Sequence, residues 1–186
     1  QDYKNIEYIV MDGGSTDNTV EILRSFAPGA SKNAKSGEAT IKGTKKKIIW
    51  NSRKDKGQAD AINKGIKKST GDIVMYLNSD DVMLPHTLKI VAKYFTAHKE
   101  AMWLTGDYFI ADEKGNKIQS FVSSYKKILR KFPNSSMLSI ANFIIQPSTF
   151  WRRSLVDEIG LFNKYLHYCM DFDYWMRTIK KYKLHV

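Results

Sequence analysis

The sequence predicts an α/β fold with a mixed, mostly parallel sheet flanked by helices, and two observations carry that expectation. Short β-rich runs alternate with segments whose apolar residues recur at helical spacing, and strands alternating with helices assemble as a largely parallel layer. The first and third of those runs end in a glycine or acidic turn, which is where open α/β sheets hold ligands. The 186 residues suffice for one domain with a real core. A single domain over residues 1–186 is expected, and its abrupt start and finish predict truncation at both ends.

Residues 6–11 (Ile-Glu-Tyr-Ile-Val-Met) read as a core strand closed by the turn Asp12-Gly13-Gly14. Ser15, Thr16, Asp17 and Asn18 offer helix N-caps, Asn18 and Glu21 having the spacing of a loose capping box. Val20, Leu23 and Phe26 then share a helical face. Residues 27–47 hold six lysines against one acid, Glu38, and read as an inserted, solvated basic loop. A second short strand is expected at 47–50, and Ala59, Ile62 and Ile66 form the next helical face, broken by Gly71. A third strand at 72–77 runs into Asn78-Ser79-Asp80-Asp81, and Pro85 suits the first turn of a helix whose face is Leu88, Val91 and Phe95. Beyond it, strands at 103–110 and 118–122 flank a hairpin turn at 112–116, and a loop-rich stretch follows. Phe172, Trp175, Met176 and Ile179 mark a final helix.

Thirty basic residues face 19 acidic ones, a net charge of +11, which attracts nucleic acid, anionic lipid or phosphorylated substrates without choosing among them. The single cysteine, Cys169, excludes an internal disulfide and fits a reducing compartment. No apolar run approaches the roughly 20 residues that span a bilayer. A cytoplasmic location is expected, with peripheral contact at the inner membrane face.

Three acidic clusters are candidates for chemistry. Asp80 and Asp81 follow a strand, where adjacent carboxylates repel unless a positive group joins them. They are either ligands to a hard divalent cation or acids capping the next helix. The turn Asp12-Gly13-Gly14-Ser15 either lets a ligand approach the backbone or simply links strand to helix. Asp171 and Asp173 either supply a general base or favour a helix N-terminus electrostatically. Neither a GxGxxG fingerprint nor a Walker lysine motif occurs.

In order and spacing these segments resemble the inverting family 2 glycosyltransferases. Ile9-Val10-Met11-Asp12-Gly13-Gly14-Ser15-Thr16-Asp17 is similar to that family's VVDDGSTD segment. Asp55-Lys56-Gly57 followed by Ala61-Ile62-Asn63-Lys64-Gly65 resembles D-x-G…A-x-N-x-G. Gly71-Asp72 leading to Leu77-Asn78-Ser79-Asp80-Asp81 resembles the strand that carries the metal motif. Gln146-Pro147-Ser148-Thr149-Phe150, Arg152-Arg153 and Gly160-Leu161-Phe162 resemble the acceptor-side segment, and Met170-Asp171-Phe172-Asp173-Tyr174-Trp175-Met176-Arg177 resembles E-D-x-D-x-W-x-R.

The resemblance implies a GT-A fold, a Rossmann-like nucleotide-diphospho-sugar transferase architecture. It also implies a nucleotide-diphosphate-sugar donor, a divalent cation (Mn²⁺ or Mg²⁺), and a sugar or lipid-linked acceptor in cell-surface polysaccharide or glycolipid synthesis. On that footing Asp12, Gly14, Ser15, Asp55, Gly57 and Asn78 meet the donor nucleotide, and Asp80 and Asp81 meet the metal. Asp171 is the base that deprotonates the acceptor, and Gln146, His167 and Asp173 lie on the acceptor side. Four departures stand out: the family's first strand is absent, and Gly13, Asn78 and Met170 occupy positions where the family carries acids. Two alternatives remain open, a metal-dependent nucleotidyl or phosphoryl transferase and a basic, non-enzymatic binding domain. Nucleic acid is not the expected partner, because the lysines concentrate in one stretch and no aromatic-basic stacking motif occurs.

Overall fold

The computed structural model describes residues 1–26, 31, 33–40 and 47–186. They form a mixed α/β structure that divides into two compact units. One holds Gln1–Asp72 with Leu161–Met170, the other Ile73–Gly160 with Asp171–Val186. Among the described residues no helix is long and apolar enough to cross a membrane.

The first unit contains strands β1 (Glu7–Asp12), β2 (Ser36–Thr40) and β3 (Lys47–Ser52) and helices α1 (Thr19–Ser25) and α2 (Gln58–Lys68). β3 lies in the middle of the sheet, parallel to β1 and antiparallel to β2. β2 falls inside the stretch expected to be a basic loop. Its Gly37 sits opposite Trp50 in the β-ladder, and a Cβ there would stand 2.4 Å from the indole Nε1. Only glycine lets the indole lie across the strand. Residues 27–30, 32 and 41–46 of the expected loop lie outside the described residues. Trp50 is fully buried beside Leu23, with Val10, Val20 and Ala39 packed around them. α1 starts without the expected cap: Asn18 makes no side-chain bond, and Asp17 accepts from the Thr19 amide at 2.9 Å instead.

α2 buries Ala59, Asn63 and Ile66. Asn63 donates its amide N–H to the Phe162 carbonyl at 2.8 Å and accepts from the Phe162 amide at 3.0 Å. One side chain thus pairs with a backbone as a neighbouring strand would, and it ties residues 161–170 to this unit.

The second unit contains β4 (Ile73–Val74), α3 (Thr87–Ala97), β5 (Trp103–Thr105), β6 (Ile110–Ala111), β7 (Lys117–Ile118), α4 (Ser120–Leu129), α5 (Ser135–Ile140), β8 (Thr149–Arg152), α6 (Ser154–Ile159) and, from Asp171 onward, α7 (Met170–Ile179). β8 pairs antiparallel with both β4 and β5, so the sheets are mixed rather than mostly parallel. The cause is β8 itself, which arises from the stretch that reads as loop-rich. Its Phe150 packs with Val91, Phe95, Ala101 and Leu104, and Arg152 donates to the Ala101 and Phe95 carbonyls at 2.8 and 3.0 Å.

Other expectations shift. β4 stops at Val74, where 72–77 was expected. α3 begins after Pro85 and not around it, and β5 ends at Thr105. The hairpin exists as β6–β7, its turn held by Asp112 accepting from the Lys114 and Asn116 amides at 2.9 and 2.8 Å. The strand expected at 118–122 gives way to α4, because 120–129 carries a helical period that outruns its β-branched start.

Asn63→Ala would remove two hydrogen bonds to the Phe162 backbone in a buried place, a loss of about 2 kcal/mol or more. The expected reading is a lowered urea midpoint with an unchanged denaturant slope.

Candidate active site

In the first unit the sequence-predicted donor residues gather around the turn after β1. Asp12 is the hub. Its carboxylate accepts from the Gly14 amide at 3.2 Å, the Ser15 amide at 3.0 Å, the Ser15 hydroxyl, and the Ser52 hydroxyl at 2.6 Å. Burial raises the Asp12 pKa, but the two hydroxyls and two amides outweigh it and hold the carboxyl below its ordinary value. Most of its roughly four acceptor positions are therefore filled by the protein.

Asp55 accepts from the Gly57 amide at 2.9 Å just before α2, and its Oδ2 would lie 2.9 Å from a Cβ at Gly13. A side chain at position 13 would thus require Asp55 to shift. A carboxylate there would displace Asp55 and add a like charge beside it. His167, expected on the acceptor side, is exposed, and its ring lies beside Gly57 in a small hollow lined by residues 56–59, Lys164 and Leu166.

In the second unit the predicted residues gather around Tyr76. Gln146 donates to the Tyr76 carbonyl at 2.8 Å and accepts from the Asn78 side-chain Nδ2 at 3.2 Å. Both ends of its amide are spent in fixing residues 76–78, so it positions this loop. Asp80 is exposed and Asp81 half-buried. Burial, and next the Asp80 charge, raise the Asp81 pKa, while a bond from Asn78 pulls it down. Burial, followed by the charges of Asp171 and Asp81, pushes the Tyr76 phenol far above its ordinary value. Asp171 and Asp81 are thus both within electrostatic reach of Tyr76, a convergence that sequence spacing does not show.

Asp171 and Asp173 are sorted by their partners. Asp173 receives Arg177 Nε at 3.0 Å and Nη2 at 2.8 Å, and Arg177 also donates to the Ile159 carbonyl. Asp171 accepts only the Phe172 amide at 2.8 Å and has no ion-pair partner among the described residues. Asp107 is taken by Lys127 at 3.1 Å and by the buried Arg130. Tyr76 was missed from sequence: its signal, an aromatic residue shortly before an acidic turn, looks like any strand residue.

Among the described residues no three His, Cys, Asp or Glu side chains converge as a metal cage. Asp80 and Asp81 nevertheless fit a hard cation that completes its shell with substrate oxygens. They offer only oxygen, and a divalent charge would offset the burial and the Asp80 charge that raise Asp81.

The family model for glycosyl transferase family 2 matches residues 1–160, and the chain belongs to that family. Among its relatives, an uncharacterized glycosyltransferase of Rickettsia conorii is 28% identical over 192 residues, covering 100% of this chain and 28% of that protein. A Mycobacterium bovis PGL/p-HBAD biosynthesis glycosyltransferase is 26% identical over 174 residues, covering 93% of this chain and 58% of its own length. This chain thus spans between 28% and 58% of these two relatives. The crystal structure of S. aureus TarS 1-349 in complex with UDP-GlcNAc superposes with a TM-score of 0.65 at 20% identity, covering 96% of this chain and 46% of that one. The shared architecture is the GT-A fold expected from the sequence.

Because the folded Asp12 pKa is depressed, its contribution to stability is present above the unfolded carboxylate pKa of about 3.9 and is lost as pH falls through the folded value. Wild type should therefore lose stability more steeply than Asp12→Asn between about pH 5 and pH 2. Equal slopes of urea midpoint against pH would contradict the hydrogen-bonded carboxylate.

Proposed function

We propose that this chain supplies the donor-binding and catalytic residues of an enzyme that transfers a sugar from a nucleotide-diphosphate-sugar to an acceptor hydroxyl with inversion. Membership of the family supports the reaction class. The observation that carries the reading is the Asp171 carboxylate, free of any ion pair among the described residues and within electrostatic reach of the same phenol as Asp81. A base needs such a carboxylate, able to reach a substrate proton without first breaking a salt bridge.

In the proposed step the acceptor oxygen bonds to the anomeric carbon as its proton passes to an Asp171 carboxylate oxygen. The bond from the anomeric carbon to the diphosphate oxygen breaks, and the nucleoside diphosphate leaves with that electron pair. No enzyme nucleophile is required. Asp80 and Asp81 would hold Mn²⁺ or Mg²⁺, which when bound supplies positive charge to the departing diphosphate. Asn78, held by Gln146, keeps the acidic loop in place. Asp55 and the backbone around Gly14, Ser15 and Gly57 would meet the nucleoside. Asp12 acts there mainly by shaping the turn, since its acceptor positions are largely filled.

The UDP-GlcNAc bound to TarS makes that compound the first donor to test. A sugar or lipid-linked acceptor in surface glycoconjugate synthesis fits the Mycobacterium relative's role in PGL/p-HBAD biosynthesis. A cytoplasmic location, where nucleotide-sugars are made available, accords with this reading.

In the full-length protein, Asp171→Asn should lower turnover by about 10²–10⁴-fold while the donor still raises the melting temperature. Asp173→Asn should act through stability, because its partner is Arg177. Retention of more than about a tenth of wild-type turnover by Asp171→Asn is less than the loss expected of a base and would move that role elsewhere.

Asp80→Asn should diminish the Mn²⁺-dependent part of the donor-induced thermal shift, since one carboxylate fewer attracts the cation. An undiminished shift would make Asp80 a helix-flanking acid and nothing more.

A further inference from the structure

We infer that α4 is an interfacial helix that seats the protein on an anionic lipid surface. A helix on a soluble protein normally turns its apolar stripe toward the body and its polar face to water. α4 does the reverse. Phe121, Tyr125 and Ile128 stand at i, i+4 and i+7 on one face and are 84%, 47% and 59% exposed. Phe132, just past the helix, is 63% exposed. At the C-terminal end of the helix Arg130 is buried and bonded to Asp107 and to the Phe143 carbonyl. A polar anchor thus holds the helix in place while its apolar residues face out.

The surrounding charge selects the partner. Residues 117–132 contain five basic side chains, Lys117, Lys126, Lys127, Arg130 and Lys131, and no acidic one. Lys117 lies over the ring of Phe109 at 4.8 Å, and Phe109 and Ile118 are themselves exposed. Asp107 pairs with Lys127 and Arg130 and leaves Lys117, Lys126 and Lys131. An apolar stripe beside these lysines matches a bilayer interface, where rings and branched chains enter the headgroup boundary and lysines reach anionic phosphates. The inference does not depend on the proposed transfer reaction, because lipid binding is read without substrate.

The test is flotation of the full-length protein with phosphatidylcholine vesicles, with and without phosphatidylglycerol, at low and high salt. Binding should require the anionic lipid and weaken with salt. Phe121→Ser/Ile128→Ser and Lys117→Glu/Lys131→Glu alter exposed side chains and should keep the wild-type melting temperature. Each pair should lower vesicle partitioning by at least about tenfold, through lost apolar burial in one and reversed charge in the other. No flotation of the wild type would mean that another part of the protein or a protein partner covers α4, and would overturn the inference. So would equal binding to neutral vesicles. Loss on charge reversal with no change in Phe121→Ser/Ile128→Ser would assign the binding to diffuse basic charge and overturn insertion by α4.

Discussion

Much of the second unit depends on the packing of three tryptophans. Trp103 from β5 and Trp175 from α7 stack at 5.8 Å, and Trp151 from β8 meets Trp175 edge-on at 5.7 Å. All three are fully buried. Rings of this size remove about 150–250 Å² each from water and prefer such offset and edge contacts. The cluster joins a strand the sequence shows, β5, to one it hides, β8, and fixes the axis of α7. Tyr174 adds a further ring to the cluster, tilted against Trp151 at 5.8 Å. The direction in which α7 presents Asp171 follows from this packing.

With the axis fixed, local partners divide the work among the acids. Arg177 takes Asp173 one turn along the helix, so that carboxylate stiffens the helix start. Asp171 has only a neighbouring amide. Two acids of identical chemistry, two residues apart, thus acquire different roles from one arginine. Gln146 does comparable work on residues 76–78. An amide that looks like a ligand-binding side chain is consumed in holding the Tyr76 carbonyl and the Asn78 side chain.

The turn after β1 follows the same economy. Asp12 gathers two amides and two hydroxyls, one of them from Ser52 on the neighbouring strand. Gly13 is small because Asp55 occupies the space that a side chain would need. An acid at position 13 would bring a second carboxylate beside Asp55, and the two would repel.

The helices whose apolar residues keep a 3.6-residue period, α2, α3 and α7, are legible in the sequence, as are β1, a β-rich run that ends at a glycine turn, and β3, a short apolar run. The sequence also determined the family, through ordered segments that are each degenerate alone. It did not show β8, because a four-residue strand buried on both faces has no alternation to read. It placed a strand at 118–122 where α4 forms, because β-branched residues and a helical period coincide there. Only the tertiary structure decided which polar side chains are spent and which remain available. Asp12 is satisfied by a serine 40 residues away, Asn63 by a backbone 99 residues away and Asn78 by a glutamine 68 residues away. Hydrogen-bond capacity is filled by whatever the fold brings within about 3 Å. Order and spacing along the chain name the candidate acids, but distance in space sets the work that each can do.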